Sequence, residues 1–347
     1  MSPGGKARLS FLLSLSLSTA CGGAQHGPRS DGSVVNMPAG DPPYLWYAGA
    51  GLNAFTRAET EVSDDQGARF LLIPRFAVVN YHDLAFDGGG NLWAVPLGAD
   101  QIIRLPATQL PPAGTSPGPD LVLSSPALHG PQSLTFDARG NLWVVCYDGA
   151  GQSIATILRF DDPGGLTGQV ALSPSAIIGP GADDAGQRKF RQPSAIAFDS
   201  AGSLWFVATE NALRFDHPEG INGEVTPSPA AAIATGDAFA SVAFDGDGSM
   251  WLTAANGGYF VVRIGNPGAL AGAIAPAFAA KVHLPSAGTL FAGGMAFDGD
   301  GALWVAMNDR IVKLDQPGSL GGEVSPDPDV TLGVTASPDL SSKLLFH

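Results

Sequence analysis

The residues best suited to chemistry recur at one place, just after a tryptophan-containing stretch. Tyr147 and Asp148 follow Trp143, Glu210 and Asn211 follow Trp205, Asn256 follows Trp251, and Asn308 and Asp309 follow Trp304. Carboxylates beside amide oxygens are ligands for a hard divalent cation such as Ca or Mg, and Glu210 and Asp309 are the candidate metal ligands. His82 and His129 would then be candidates for a general base. A second acidic pattern, Asp245-Gly-Asp247-Gly and Asp298-Gly-Asp300-Gly, looks like the opening of a calcium loop. Neither stretch has a downstream Glu at the required spacing, so these read as turns. No phosphate-binding glycine loop, nucleophile elbow or zinc spacing is present. Catalytic residues therefore stay unassigned.

The elements that must position these groups come from one phrase. LAFDGGGNLWAV (84–95) returns as LTFDARGNLWVV (134–145), IAFDSAGSLWFV (196–207), VAFDGDGSMWLT (242–253) and MAFDGDGALWVA (295–306). The apolar groups before each Asp alternate, the period of a strand. The glycine-rich stretch supplies the positive φ a tight hairpin needs, and the Trp strand follows. Third strands are expected in QIIRLP (101–106), ATILRFD (155–161), NALRFD (211–216), YFVVRI (259–264) and RIVKLD (310–315), and fourth strands after Pro- and Gly-rich connections. Four antiparallel strands repeating every ~45–60 residues predict the blades of an all-β propeller.

All six tryptophans fall at this position, Trp46 included. Trp46 has no Phe-Asp strand before it, whereas the C-terminal SKLLFH (342–347) has no Trp strand after it. The two fragments complement each other. They predict a six-bladed β-propeller over 44–347, closed by pairing of the C-terminal strand (342–347) with the N-terminal blade.

Upstream, Lys6 and Arg8 precede an apolar run from Leu9 to Leu17, which is too short to span a bilayer, and Cys21 follows Ser18-Thr19-Ala20. Residues 1–21 read as an export signal resembling that of a bacterial lipoprotein, with Cys21 the lipidated residue. Residues 22–43 read as a flexible linker. The expected location is the outer membrane or cell surface, or else the periplasm or medium. The formal charge of −14 and the lack of a basic stripe argue against nucleic acid as a partner. A monomer, lipid-held at a membrane and meeting a protein or glycan, is expected. Cys146 is the thiol left after processing and reads as a small buried hydrophobe.

In a propeller, the loops entering the inner strand and those joining second to third strands share one face around the axis. Here they hold His82, Asp83, His129, Gln132, Tyr147, Asp148, Arg191, Glu210, Asn211, Asn256, Asn308 and Asp309, the candidate ligand-binding set. Trp143 and Trp205 lie 62 residues apart, against 46 to 53 elsewhere. The additions are GAGQS (149–153) and PGADDAGQRKFRQ (180–192), which carries the basic cluster Arg188, Lys189 and Arg191. Long loops on a repeat scaffold are where function collects.

The phrase FDxxGxLWVA followed by an IxRFD-type strand resembles the NHL and SMP-30-like six-bladed propellers, and streptogramin (virginiamycin B) lyase-like repeats above all. The lyase-type blade enters its inner strand through a Pro-His-Gly-Ile-like phrase, whereas the entries here are YHDLAFD, PQSLTFD, PSAIAFD, ASVAFD and GGMAFD. No catalytic residue is carried over. Two functions are expected: a module that binds a protein, glycan or small ligand at its axial face without catalysis, or a metal-dependent hydrolase or lyase of the lactonase or streptogramin-lyase-like type.

Overall fold

The repeat becomes a set of closely similar sheets in a computed structural model, which describes residues 44–49, 51–55, 70–72, 80–111, 117–148, 154–179, 193–208, 211–234, 239–254, 260–275, 277–285, 292–307, 310–334 and 343–347. The architecture is an all-β propeller. Blade 1 has strands Tyr81–Phe86, Leu92–Pro96, Gln101–Leu105 and Leu121–Ser124. Blade 2 has Pro131–Phe136, Leu142–Asp148, Ile154–Phe160 and Ala176–Ile178. Blade 3 has Pro193–Phe198, Leu204–Ala208, Asn211–Phe215 and Ala231–Ala234. Blade 4 has Phe239–Phe244, Met250–Ala254, Phe260–Ile264 and Ala280–His283. Blade 5 has Ala292–Phe297, Leu303–Met307, Arg310–Leu314 and Val330–Gly333. These five blades each take four antiparallel strands from one continuous stretch. A further sheet is composite, ordered Lys343–Phe346, Leu45–Gly49, Gly51–Phe55, Phe70–Leu72. Trp46 lies opposite Leu345 and Tyr47 opposite Leu344 in its cross-terminal pairing.

The Asp of each phrase builds the inner hairpin. In blade 3, Asp199 Oδ1 accepts the backbone N–H groups of Ala201 (3.0 Å) and Ser203 (2.9 Å), while Oδ2 accepts the Trp205 indole N–H at 2.8 Å. Asp87, Asp137, Asp245 and Asp298 do the same for Trp93, Trp143, Trp251 and Trp304. The turn glycine that follows has φ between 76° and 83° at positions 90, 140, 202, 248 and 301, conformations in which a side chain would be strained. Asp245 and Asp298 are thus turn residues, the reading preferred over a calcium loop.

Each Trp then packs edge-on or tilted against the Phe of the next inner strand. The pairs are Trp93–Phe136, Trp143–Phe198, Trp205–Phe244 and Trp251–Phe297. Trp304–Phe346 at 5.8 Å and Trp46–Phe86 at 5.5 Å extend the series through the composite sheet. All six indoles are buried. Trp46 differs in one respect: its indole N–H is buried with no hydrogen-bond acceptor among the described residues. His347 follows Phe346 where the other phrases have Asp.

Two ties between blades were not foreseen from the strand pattern. A fifth strand leaves each of blades 2 to 5 between its third and fourth strands and adds, in parallel, to the outer strand of the preceding blade. Gly168–Ala171 pairs with Leu121–Ser124, Gly223–Val225 with Ala176–Ile178, Gly272–Ile274 with Ala231–Ala234, and Gly322–Val324 with Ala280–His283. A Pro-x-x-(Leu or Ile)-x-Gly phrase starts each one. Its Pro opens a short 3-10 turn, preceded by a left-handed Asp162, His217, Asn266 or Gln316. Secondly, the third-strand Arg reaches across to that turn. Arg159 donates to the carbonyls of Glu219 (3.0 Å) and Ile221 (2.8 Å), pairs with Asp161 at 2.7 Å and lies over the Trp143 ring. Arg104, Arg214 and Arg263 bond the carbonyls of Leu166, Gly268 and Gly318 in the same way.

Candidate functional site

The described members of the expected ligand-facing set lie at inner-strand entries and at the ends of second and third strands. Inner-strand entries carry bulges: pairing with the second strand shifts register between Tyr81 and Asp83, and between Pro131 and Ser133. His82 and Gln132 are the extra residues, and a bulge re-aims the side chain it inserts. The side-chain amide of Gln132 donates to the Gly130 carbonyl at 3.2 Å. Tyr147 N donates to the carbonyls of His129 and Gly130, which joins an entry loop to the end of a second strand as the topology requires. Gly130 N in turn donates to Asp100 of blade 1 at 2.7 Å. His129 is exposed, and Asn211 begins the third strand of blade 3 opposite Ala208 and Ala234. Asp148 ends the second strand of blade 2, facing Ile154.

Asp83 does not present its carboxylate to solvent. The side chain is buried and bridges three sheets. Oδ1 accepts Leu84 N at 2.7 Å and lies 3.4 Å from Lys343 Nζ of the C-terminal strand. Oδ2 accepts Leu134 N at 3.0 Å and the Ser133 hydroxyl of blade 2. This polar knot stands beside an axial channel of about 140 Å³, lined by the inner strands of all six sheets, with Lys343 its charged lining residue. Arg191, Glu210, Asn256, Asn308 and Asp309 lie outside the described residues, as do Cys21, Arg188, Lys189 and the insertions at 149–153 and 180–192. Among the described residues, no group of three or more His, Cys, Asp or Glu is placed to hold a metal ion. No helix among them is long and apolar enough to cross a membrane.

Burial settles the chemistry of two groups. The Cys146 thiol is pushed up to about 12 by desolvation, so almost no thiolate forms at neutral pH. Desolvation also pushes the Tyr81 phenol up to about 12.

The larger described cavity, about 390 Å³, lies at the opposite end of the strands, on the hairpin side. It spans blades 2, 3 and 4 and is lined by hairpin residues such as Arg139, Ser200 and Gly246, by Phe198 and Phe244, and by the His217-Pro218-Glu219 turn. The sequence signal for it lay in the connections after the third strands, where His217 stands in place of Asp162, Asn266 or Gln316 and Glu219 in place of a glycine.

No family model matches the chain. No curated protein matches it either. Solved structures do. A protein of unknown function from Bacteroides caccae is 12% identical, with a TM-score of 0.53 over 85% of this chain and 99% of that one. A 6-phosphogluconolactonase candidate from Bacteroides uniformis is 13% identical, with a TM-score of 0.52 over 81% and 82%. Virginiamycin B lyase from Staphylococcus aureus is 14% identical over 73% and 76%, at a TM-score of 0.39. The first two likenesses establish a shared propeller fold. At these identities they establish nothing about activity.

Proposed function

We propose that the chain is an exported, lipid-anchored binding module, a six-bladed propeller that takes a protein, glycan or small ligand on its entry face without catalysing a reaction. The composite sheet is the sixth blade in this reading, supported by the Trp304–Phe346 and Trp46–Phe86 contacts and by the channel that all six inner strands line. Cys21 carries the lipid, residues 22–43 form the tether, and 44–347 form the propeller, held at the outer membrane or cell surface as a monomer.

One observation supports binding above the rest. The acidic and basic residues that recur from blade to blade are already engaged, Asp with Trp and turn N–H groups, Arg with the next blade's carbonyls. The entry-face residues, such as His82, Gln132 and Tyr147, differ in every blade and sit on bulges and strand ends, the positions of a repeat scaffold where recognition varies.

Metal analysis of the purified full chain, paired with hydrolysis assays on lactones and streptogramin B, tests the absence of catalysis. Binding without turnover predicts no stoichiometric Ca or Mg and no substrate loss. A stoichiometric ion that disappears in Glu210→Ala or Asp309→Ala, together with turnover that disappears with it, overturns this in favour of the hydrolase or lyase. Palmitate labelling that persists in Cys21→Ala would overturn the anchor.

A further inference from the structure

Four departures from the repeat of the hairpin face fall at one seam. The second residue after the hairpin Asp is Gly89, Ala201, Asp247 or Asp300 in four blades, but Arg139 in blade 2. The first is Gly88, Ala138, Gly246 or Gly299, but Ser200 in blade 3. The left-handed residue before the 3-10 turn is Asp162, Asn266 or Gln316, but His217 in blade 3, and two residues on, Gly164, Gly268 and Gly318 give way to Glu219. All four departures line the same 390 Å³ cavity.

What they offer a ligand is readable. Neither the Arg139 guanidinium nor the Ser200 hydroxyl has a partner among the described residues, unlike the four clamping arginines. The one ion-pair partner of the Glu219 carboxylate among the described residues is the imidazole of His217, at 3.6 Å. The cavity's size falls in the range of small-ligand sites. Its apolar lining is Phe198, Phe244, Pro218, Ala138 and Ala201. Four carboxylates, Asp137, Asp199, Asp245 and Glu219, stand against one guanidinium, which opposes an anionic ligand. The Phe faces are buried in the Trp seams, so no open aromatic cage awaits an organic cation. A guanidinium that donates and a carboxylate that accepts, lining one cavity with apolar groups, suit the hydroxyls of a neutral ring compound.

We infer that this cavity, on the face opposite the entry loops, binds a neutral saccharide, with Arg139 and Glu219 bonding its hydroxyls and Ser200 and His217 completing the rim. The inference stands apart from the entry-face function and from the anchor.

A glycan array followed by calorimetry with the neutral sugars it selects tests this on the full chain. The variants Arg139→Gly and Glu219→Gly install residues the other blades already use, and the Glu219 carbonyl that holds Arg159 is kept. Both should melt like the parent and bind at least about tenfold more weakly, the loss expected of one charge-assisted hydrogen bond. Entry-face changes such as Gln132→Ala should leave this binding intact. An array on which no neutral glycan binds, variants that bind as the parent does, or selection of acidic sugars alone would each overturn the inference.

Discussion

Removing the carboxylate of Asp199 tests the link from phrase to blade. Asp199→Ala takes the acceptor from a fully buried Trp205 indole, 2.8 Å away, and from two turn N–H groups at 3.0 and 2.9 Å. An orphaned buried donor costs about 1–3 kcal/mol, while the turn N–H groups recover part of their loss by meeting water. The expected destabilisation is therefore about 2–4 kcal/mol, in urea titrations followed by circular dichroism and indole fluorescence. Asp199→Asn keeps one acceptor and should lose about half as much. Trp46 supplies an internal reference, because its indole N–H has no acceptor among the described residues. Trp46→Phe and Trp205→Phe remove the same volume, so Trp46→Phe should cost about 1 kcal/mol less, the worth of one hydrogen bond. A change below about 0.5 kcal/mol for Asp199→Ala, or equal losses for the two Phe variants, would refute the assignment of the Asp to the indole.

Phe346→Ala, which unseats the C-terminal strand from Trp304, should destabilise by about 3–5 kcal/mol in the same titration. Arg159→Ala should lose about 2–4 kcal/mol and Arg159→Lys less, since lysine keeps the charge but not the fork whose other nitrogens hold Asp161 and Asn222. Iodoacetamide should leave Cys146 unmodified in native buffer and label it fully in urea, as mass spectrometry would show. Burial against Phe86 lowers the pKa of His347 from its ordinary 6.5, outweighing the attraction of Asp87. The unfolded chain then binds the proton more readily. The stabilisation from His347 is fully present above about pH 6.5 and is lost as pH falls below it, so the melting temperatures of the parent and His347→Phe should converge or cross in that acid window.

The strands were legible because their signal is local. Alternation before the Asp, a glycine turn and a Trp strand are set within a dozen residues, and every expected third and fourth strand stands where its sequence lies. The fifth strands escaped for a physical reason. Gly223–Val225 and its counterparts have three or four residues, largely exposed, and pair with the previous blade rather than their own. Their alternation is too short to register, although Pro-x-x-(Leu or Ile)-x-Gly recurs four times. The arginines were likewise visible but mute, since a repeated Arg in a strand says nothing of carbonyls some 60 residues further on. At the site, Asp83 looked like any loop carboxylate. Only the convergence of Ser133, Leu134 and Lys343 reveals that it ties three sheets.

Closure is chemically uneven, and that has consequences for how the ring opens. Across the five continuous phrases, each Trp seam is backed by a covalent hairpin whose Asp satisfies the indole. At the composite sheet the inner strand ends in His347, which stacks on Phe86 at 3.9 Å and exchanges backbone hydrogen bonds with Tyr44, but supplies no carboxylate to Trp46. The Lys343–Asp83 contact adds charge attraction at the same junction, and the C-terminal strand is held otherwise by pairing and by the burial of Leu344 and Phe346. These contacts are non-covalent along the chain, so this junction has the least to lose when it separates. Hydrogen exchange should therefore run faster in the backbone amides of 343–346 than in the inner strand 196–198, although both line the same channel. Equal protection in the two strands would mean that the ring opens as one unit.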